Sequence, residues 1–133
     1  MTKNNDLGLL VVRVSFGLLM LLHGIAKLQH GTGFIADVLS SFGMPSAFAY
    51  GVYIGEVIAP LMLILGFRTR IAAAVIAFTM VVAGYLVHSP QFFSLSETGG
   101  WALELVGLFF FGTLALFFTG GGRYSVSTKN TWD

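Results

Sequence analysis

Long apolar runs separated by short polar breaks dominate this chain, and the period of the breaks is that of membrane-crossing helices. The runs extend from Leu7 to Gln29, Phe48 to Phe67, Ile71 to Val87 and Trp101 to Phe118. Each is close to the roughly 17–25 residues that a helix needs to cross about 30 Å of hydrocarbon. A polar lead, Met1 to Asp6, precedes the first run, with Asn5 or Asp6 placed to cap it. Gln29-His30-Gly31-Thr32-Gly33 breaks the chain after it. Phe34, Ile35, Val38, Leu39 and Phe42 then recur at helical spacing opposite Asp37, Ser40 and Ser41, which predicts a short amphipathic helix on the membrane surface. Gly43-Met44-Pro45 ends it, and Arg68-Thr69-Arg70 leaves so tight a turn that the second and third spans must be neighbours. The pattern predicts an all-α fold: a four-transmembrane-helix up-down bundle with a surface helix between the first and second spans. Residues 1–133 form a single integral membrane domain on this reading, with spans at roughly 7–29, 48–67, 71–87 and 101–118.

Composition sharpens this. The chain is 56% hydrophobic and only 10% charged, against about 25% charged residues in a soluble domain. The first run is long, holds Arg13, and lacks a small-residue cleavage site before Lys27, so it reads as a retained helix and not a leader. A formal net charge of +1 gives no electrostatic case for nucleic acid. Cysteine is absent, so the chain has no thiol with which to relay electrons or hold sulfur. Lys3, Arg68, Arg70, Arg123 and Lys129 fall on one side of a four-span bundle. The positive-inside rule puts that side, with both termini, in the cytoplasm of a bacterial inner-membrane protein.

The candidate chemistry lies in ionisable residues within the apolar runs: Arg13, His23 and Lys27 in the first, Glu56 in the second, His88 closing the third and Glu104 in the fourth. Such groups cost about 3 kcal/mol or more at membrane depth, so they face a protein interior and mark function. At 100° per residue, Arg13, Gly17, Met20, Gly24 and Lys27 share one face within about 80°, with His23 beside them. The glycines admit a close helix or a flat ligand, while Arg13 and Lys27, near opposite ends, can snorkel to the two interfaces, as Lys27 is expected to. Pro60 cannot donate to the Glu56 carbonyl, which predicts a kink beside a carboxyl that pairs with Arg13 or stays protonated. Glu104 should lie about a turn inside the last helix, level with His23. His23, Lys27, Glu56, His88 and Glu104 would then cluster in the outer half of the bundle, able to hold a polar head group and move protons.

Sharper assignments are disfavoured. Haem b would need His88 deeper in the membrane, and a carboxylate metal site would need the Glu-x-x-His spacing that is missing here. Tyr85 and Trp101 read as interface anchors. Phe92, Phe93 and Leu95, in the loop with Pro90, are expected to fold back over the outer mouth.

Taken together, these motifs resemble the DoxX family of small bacterial membrane proteins. Arg13-x-x-x-Gly17 with His23-Gly24-x-x-Lys27 is similar to that family's first helix, and Gly55-Glu56 with Leu65-Gly66-Phe67-Arg68-Thr69-Arg70 to its second helix and turn. His88, Glu104 and the ending Gly120-Gly121-Gly122-Arg123-Tyr124-Ser125 also match. Gly121 stands where the family often has Pro, and Ser127 where it often has Asp. The resemblance implies a four-helix membrane protein, with relatives that serve as the membrane subunit of thiosulfate:quinone oxidoreductase or in oxidative stress. On that basis the leading expectation is a quinone-interacting membrane subunit of an oxidoreductase, with a membrane or periplasmic redox partner and scope for homo-oligomers. His23, Glu104, Arg13 and Lys27 would serve the quinone, with Glu56 and His88 as catalytic proton carriers and Arg13 balancing buried charge. The rival expectations are a non-catalytic assembly partner and a small solute or proton transporter.

Overall fold

The computed structural model describes residues 3–133; Met1 and Thr2 of the polar lead lie outside the described residues. Helix α1 (Asn5–His30) starts at Asn4, whose side chain accepts from the Leu7 N–H at 3.0 Å. The cap therefore sits one residue before the positions expected from sequence. The helix stops at Gly31, which adopts φ 80°. Helix α2 (Gly33–Ser41) follows where the amphipathic repeat predicts it, burying Leu39 and leaving Phe34, Asp37 and Ser40 exposed.

The second apolar segment, Ser46–Leu65, is helical throughout but not uniformly so. A 3₁₀ stretch (Ser46–Gly51) leads into a π-helical turn (Ile54–Ile58) and then α3 (Ala59–Leu65). Pro60 is the reason for the change of winding: it has no N–H, so the Glu56 carbonyl loses its partner four residues on. The Ala59 N–H bonds Ile54, five residues back, and the widened turn absorbs the mismatch. The kink expected at Pro60 thus takes the form of a π turn around Glu56.

Gly66, at φ 72°, ends α3, and the N–H of Phe67 reaches the Met62 carbonyl at 2.9 Å. Arg68 takes the left-handed conformation at φ 48°, and α4 (Thr69–Leu86) begins at once. Helix α5 (Glu104–Thr119) is shorter than its apolar run, because Trp101 to Leu103 form a turn before it. Its 16 residues rise about 24 Å at 1.5 Å each. Asn5–His30, Ser46–Leu65 and Thr69–Leu86 are each long and apolar enough to cross a membrane. The described residues contain no strand beyond one isolated bridge between Leu95 and Trp101.

Helix α4 packs against α5 and α3, and α1 packs against α3, the π turn and α5. The start of α1 meets the end of α5, where Asp6 accepts from the Arg123 N–H at 3.0 Å. Farther along, His23 of α1 lies on Phe109 of α5, so the two helices run in opposite directions. Met20, Ala59, Leu63, Ala72, Ala73, Ile76, Met80, Phe109 and Leu116 form the core. Alanine is prominent in it because small side chains let helices approach where lipid supplies no hydrophobic drive. Outside, Leu18, Leu19, Leu22, Phe78, Leu108, Phe111 and Phe118 are exposed, an apolar coat far beyond what a soluble monomer presents.

Candidate functional site

The buried face of α1 is the one expected from the helical spacing: Arg13, Gly17, Met20 and Gly24. Its two basic ends do different things. The molecule has a tail end, with the α3–α4 turn and residues 120–133, and a loop end, with the α1–α2 turn and residues 87–103.

Toward the loop end, Lys27 turns inward and does not snorkel. Its Nζ donates to Glu56 Oε2 at 2.5 Å. Residue Glu56 is only 6% exposed. The π turn presents it to α1, and Gly24 permits the approach, since a side chain there would strike the Glu56 carbonyl. The carbonyl that Pro60 leaves unpaired thus rests against a glycine. Tyr53 adds a hydrogen bond from its hydroxyl to the Lys27 carbonyl at 3.1 Å. On the far side Gly55 sits against the Thr79 side chain of α4. The Glu56 carboxylate is thus buried against α1, while the Lys27 side chain that pairs with it stays 27% exposed. Tyr53 also lines a cavity of about 430 Å³ with Tyr50, Thr32, Ala36 and Ser46.

Sequence alone gave Tyr53 no role. Its place three residues before Glu56, and so on a neighbouring face of the same segment, was the signal available.

Arg13, 1% exposed, belongs to the other end. Nη1 donates to the carbonyls of Leu63 at 2.9 Å and Ile64 at 2.6 Å, and Nη2 to that of Tyr124 at 2.8 Å. The last carbonyls of α3 lack the regular partner four residues on, although that of Leu63 also accepts from the Gly66 N–H at 3.2 Å. Arg13 takes two, while the N–H groups of Val126 and Ser127 take those of Leu65 and Gly66, each at 3.1 Å. Arg13 therefore closes a helix end and ties the tail to it. Glu56 finds its partner in Lys27, not in Arg13.

His23 and Glu104 are exposed on the apolar outside of α1 and α5. The His23 ring meets Phe109 edge-on with centroids 6.1 Å apart. Glu104 opens α5 as its first residue instead of lying a turn inside, because the helix starts late. Lys27, one turn beyond His23 on a helix antiparallel to α5, comes roughly level with the first turn of α5. His88 sits half-buried after α4, its Nδ1 3.5 Å from Gln91 Oε1. The structure thus brings Lys27 and Glu56 together, leaves His23 and Glu104 exposed with no hydrogen bond or salt bridge to either among the described residues, and gives His88 a loop partner. Phe93 and Leu95 stand exposed and do not fold back over the mouth, while Phe92 packs against Trp101. Among the described residues no group of three or more His, Asp or Glu side chains is placed to hold a metal ion.

The DoxX family model matches residues 8–89, more than half of the chain. The chain belongs to the DoxX family. That match takes in Arg13, His23, Lys27, Glu56 and His88, and ends before Glu104. Over 83 residues the chain is 34% identical to a Bacillus subtilis (strain 168) protein named "Putative oxidoreductase CatD". The similarity covers 62% of this chain and 61% of that protein. No solved structure matches. The chain is thus a DoxX membrane protein with three helices, among the described residues, long and apolar enough to span, similar to a protein named "Putative oxidoreductase CatD".

Proposed function

We propose that this protein is a multi-pass inner-membrane subunit of a quinone-linked oxidoreductase, with four spans in one domain, α2 on the membrane surface and both termini cytoplasmic. The topology is supported by the gathering of Arg68, Arg70 and Arg123 at the tail end, where cytoplasmic positive charge belongs. The observation that carries the function is the exposure of an imidazole and a carboxyl, His23 and Glu104, on a surface otherwise coated with leucine and phenylalanine. An ionisable group at such a place calls for an occupant. A quinone arrives through lipid and offers carbonyl oxygens that His23, and Glu104 when protonated, would donate to. Behind that surface the Lys27–Glu56 pair is suited to relay protons. Reduction of the quinone takes two electrons and two protons to give the quinol; the electrons come from a redox partner subunit, the protons through Glu56. His88, at the loop end, would exchange protons with water. Arg13 keeps the tail and α3 in place and takes no part in the ring's binding.

Quinone measured per chain after purification in mild detergent tests this, with Glu104→Gln and His23→Ala alongside. Near-stoichiometric quinone that both variants lose is the expected result. A wild type that carries no more than the variants would overturn it. The same exposure favours a second reading, in which a partner's helix covers His23 and Glu104 and the protein serves only assembly. In that case the variants lose the partner and quinone is never retained.

A further inference from the structure

We propose that the tail end holds a binding site for a phosphate group, with Arg70 as its cation and the backbone of Gly121 and Gly122 as its neutral donors. A cavity of about 550 Å³ opens there, lined among others by Arg70, Gly121, Gly122, Arg123, Asn130 and Thr131. What marks it is an excess of donors without acceptors. Among the described residues the Arg70 guanidinium makes no hydrogen bond or ion pair, and its Nε is buried without a partner. The Gly120 N–H is used by Leu116 and the Arg123 N–H by Asp6, but no hydrogen bond among the described residues uses those of Gly121 or Gly122. Just beneath, Thr69 is fully buried, and its hydroxyl and that of Ser125 crowd the Gly121 α-carbon, each unpartnered. A side chain on Gly121 would strike both hydroxyls.

Buried polar groups normally find partners, and each one left over calls for an explanation. Of the unpartnered buried side-chain atoms among the described residues, Arg13 Nε, Thr69 Oγ1, Arg70 Nε and Ser125 Oγ, that of Arg70 belongs to a residue lining the cavity. An oxyanion with several acceptor oxygens satisfies the donors that line the cavity: a planar guanidinium fork, two consecutive backbone N–H groups and the hydroxyls of Ser127, Thr128 and Thr131. The side-chain carboxylate of Asp133 also lines the cavity, and its negative charge is offset by Arg68. Asp133 accepts from the Asn130 N–H at 2.6 Å and lies 3.4 Å from Arg68 Nη1. Burial pushes its pKa up, but hydrogen bonds from Ser127, Asn130 and Lys129 and the charge of Arg68 hold it below the ordinary value. Arg123 lies over the Tyr124 ring at 5.3 Å and adds a second positive charge to the cavity wall. The volume exceeds that of one phosphate, which leaves room for the glycerol of a lipid or the sugar of a soluble phosphoester.

The full chain in phosphatidylcholine nanodiscs, with and without phosphatidylglycerol, tests the site in two arms. Native mass spectrometry reads phosphatidylglycerol retained per chain. Trp132, whose carbonyl accepts from the Arg70 N–H, reports inorganic phosphate by fluorescence against chloride at equal ionic strength. Wild type is expected to bind in at least one arm, with Arg70→Gln about tenfold weaker and Arg70→Lys several-fold weaker, because it keeps the charge but loses the fork. Should Arg70→Gln fail to fold, the lysine variant carries the comparison. Retention of the lipid identifies a headgroup; a phosphate response without it identifies a soluble phosphoester. No binding in either arm, or an equal loss in Lys3→Gln, overturns the proposal.

Discussion

Arg13 and Lys27 sit near opposite ends of one face of α1, both directed inward, yet they meet different chemistry. Arg13 is surrounded by carbonyls: Leu63, Ile64 and Tyr124. No carboxylate approaches it within ion-pairing distance among the described residues. Its charge is spread over two carbonyls at the end of α3 and one of the tail, and the result is a fixed joint between α1, α3 and the tail. Lys27 meets a single carboxylate, Glu56, held by a π turn that proline enforces. One end is thus an arrangement that cannot change protonation, since guanidinium does not lose its proton near neutral pH. The other is a single ion pair between two side chains. Burial alone does not distinguish the two ends; the partner does.

If Arg13 is a joint, its removal should hurt most. Arg13→Leu strips hydrogen bonds from buried carbonyls and should cost about 3–5 kcal/mol in detergent unfolding. Hydrogen exchange should rise in residues 124–127 while the loop end keeps its protection. A variant that unfolds near the wild-type midpoint would erase the contrast between the ends.

At the other end the sharper measurement is a cycle. Lys27→Met leaves Glu56 buried with its charge unmatched and should cost about 2–4 kcal/mol, whereas Lys27→Met with Glu56→Gln should recover a good part of that loss. Additive losses would mean that the two side chains act independently. Gly24→Ala should cost about 1–3 kcal/mol by forcing α1 away from the Glu56 carbonyl. It should also loosen the Lys27–Glu56 pair, seen as a smaller coupling energy when the cycle is repeated in that background.

The smallest stability effects belong to His23→Ala and Glu104→Gln, expected within about 0.5 kcal/mol because both residues are exposed. Their consequence should appear in retained quinone alone. Large losses of stability there would recast these residues as part of the packing.

Periodicity and composition by themselves determined the helical segments, the buried face of α1, the tight turn at Gly66 to Arg70 and the irregularity around Glu56. These follow from local rules: the turn angle of a helix, the missing N–H of Pro60, the left-handed tolerance of Gly66. The sequence also singled out the charged groups that the structure makes conspicuous in the apolar segments, but not Tyr53. It could not rank Arg13 against Lys27 as the partner of Glu56, since both share one face and depth along separate helices depends on how they are docked. That choice came from packing, where Gly24 and the π turn set Lys27 beside the carboxylate and α3 ends at the height of Arg13. Nor could it show that Trp101 to Leu103 turn before α5 begins, which moves Glu104 to the helix's first residue. Pairings between distant residues are tertiary facts: their strength depends on which groups the fold deprives of water and of any other partner.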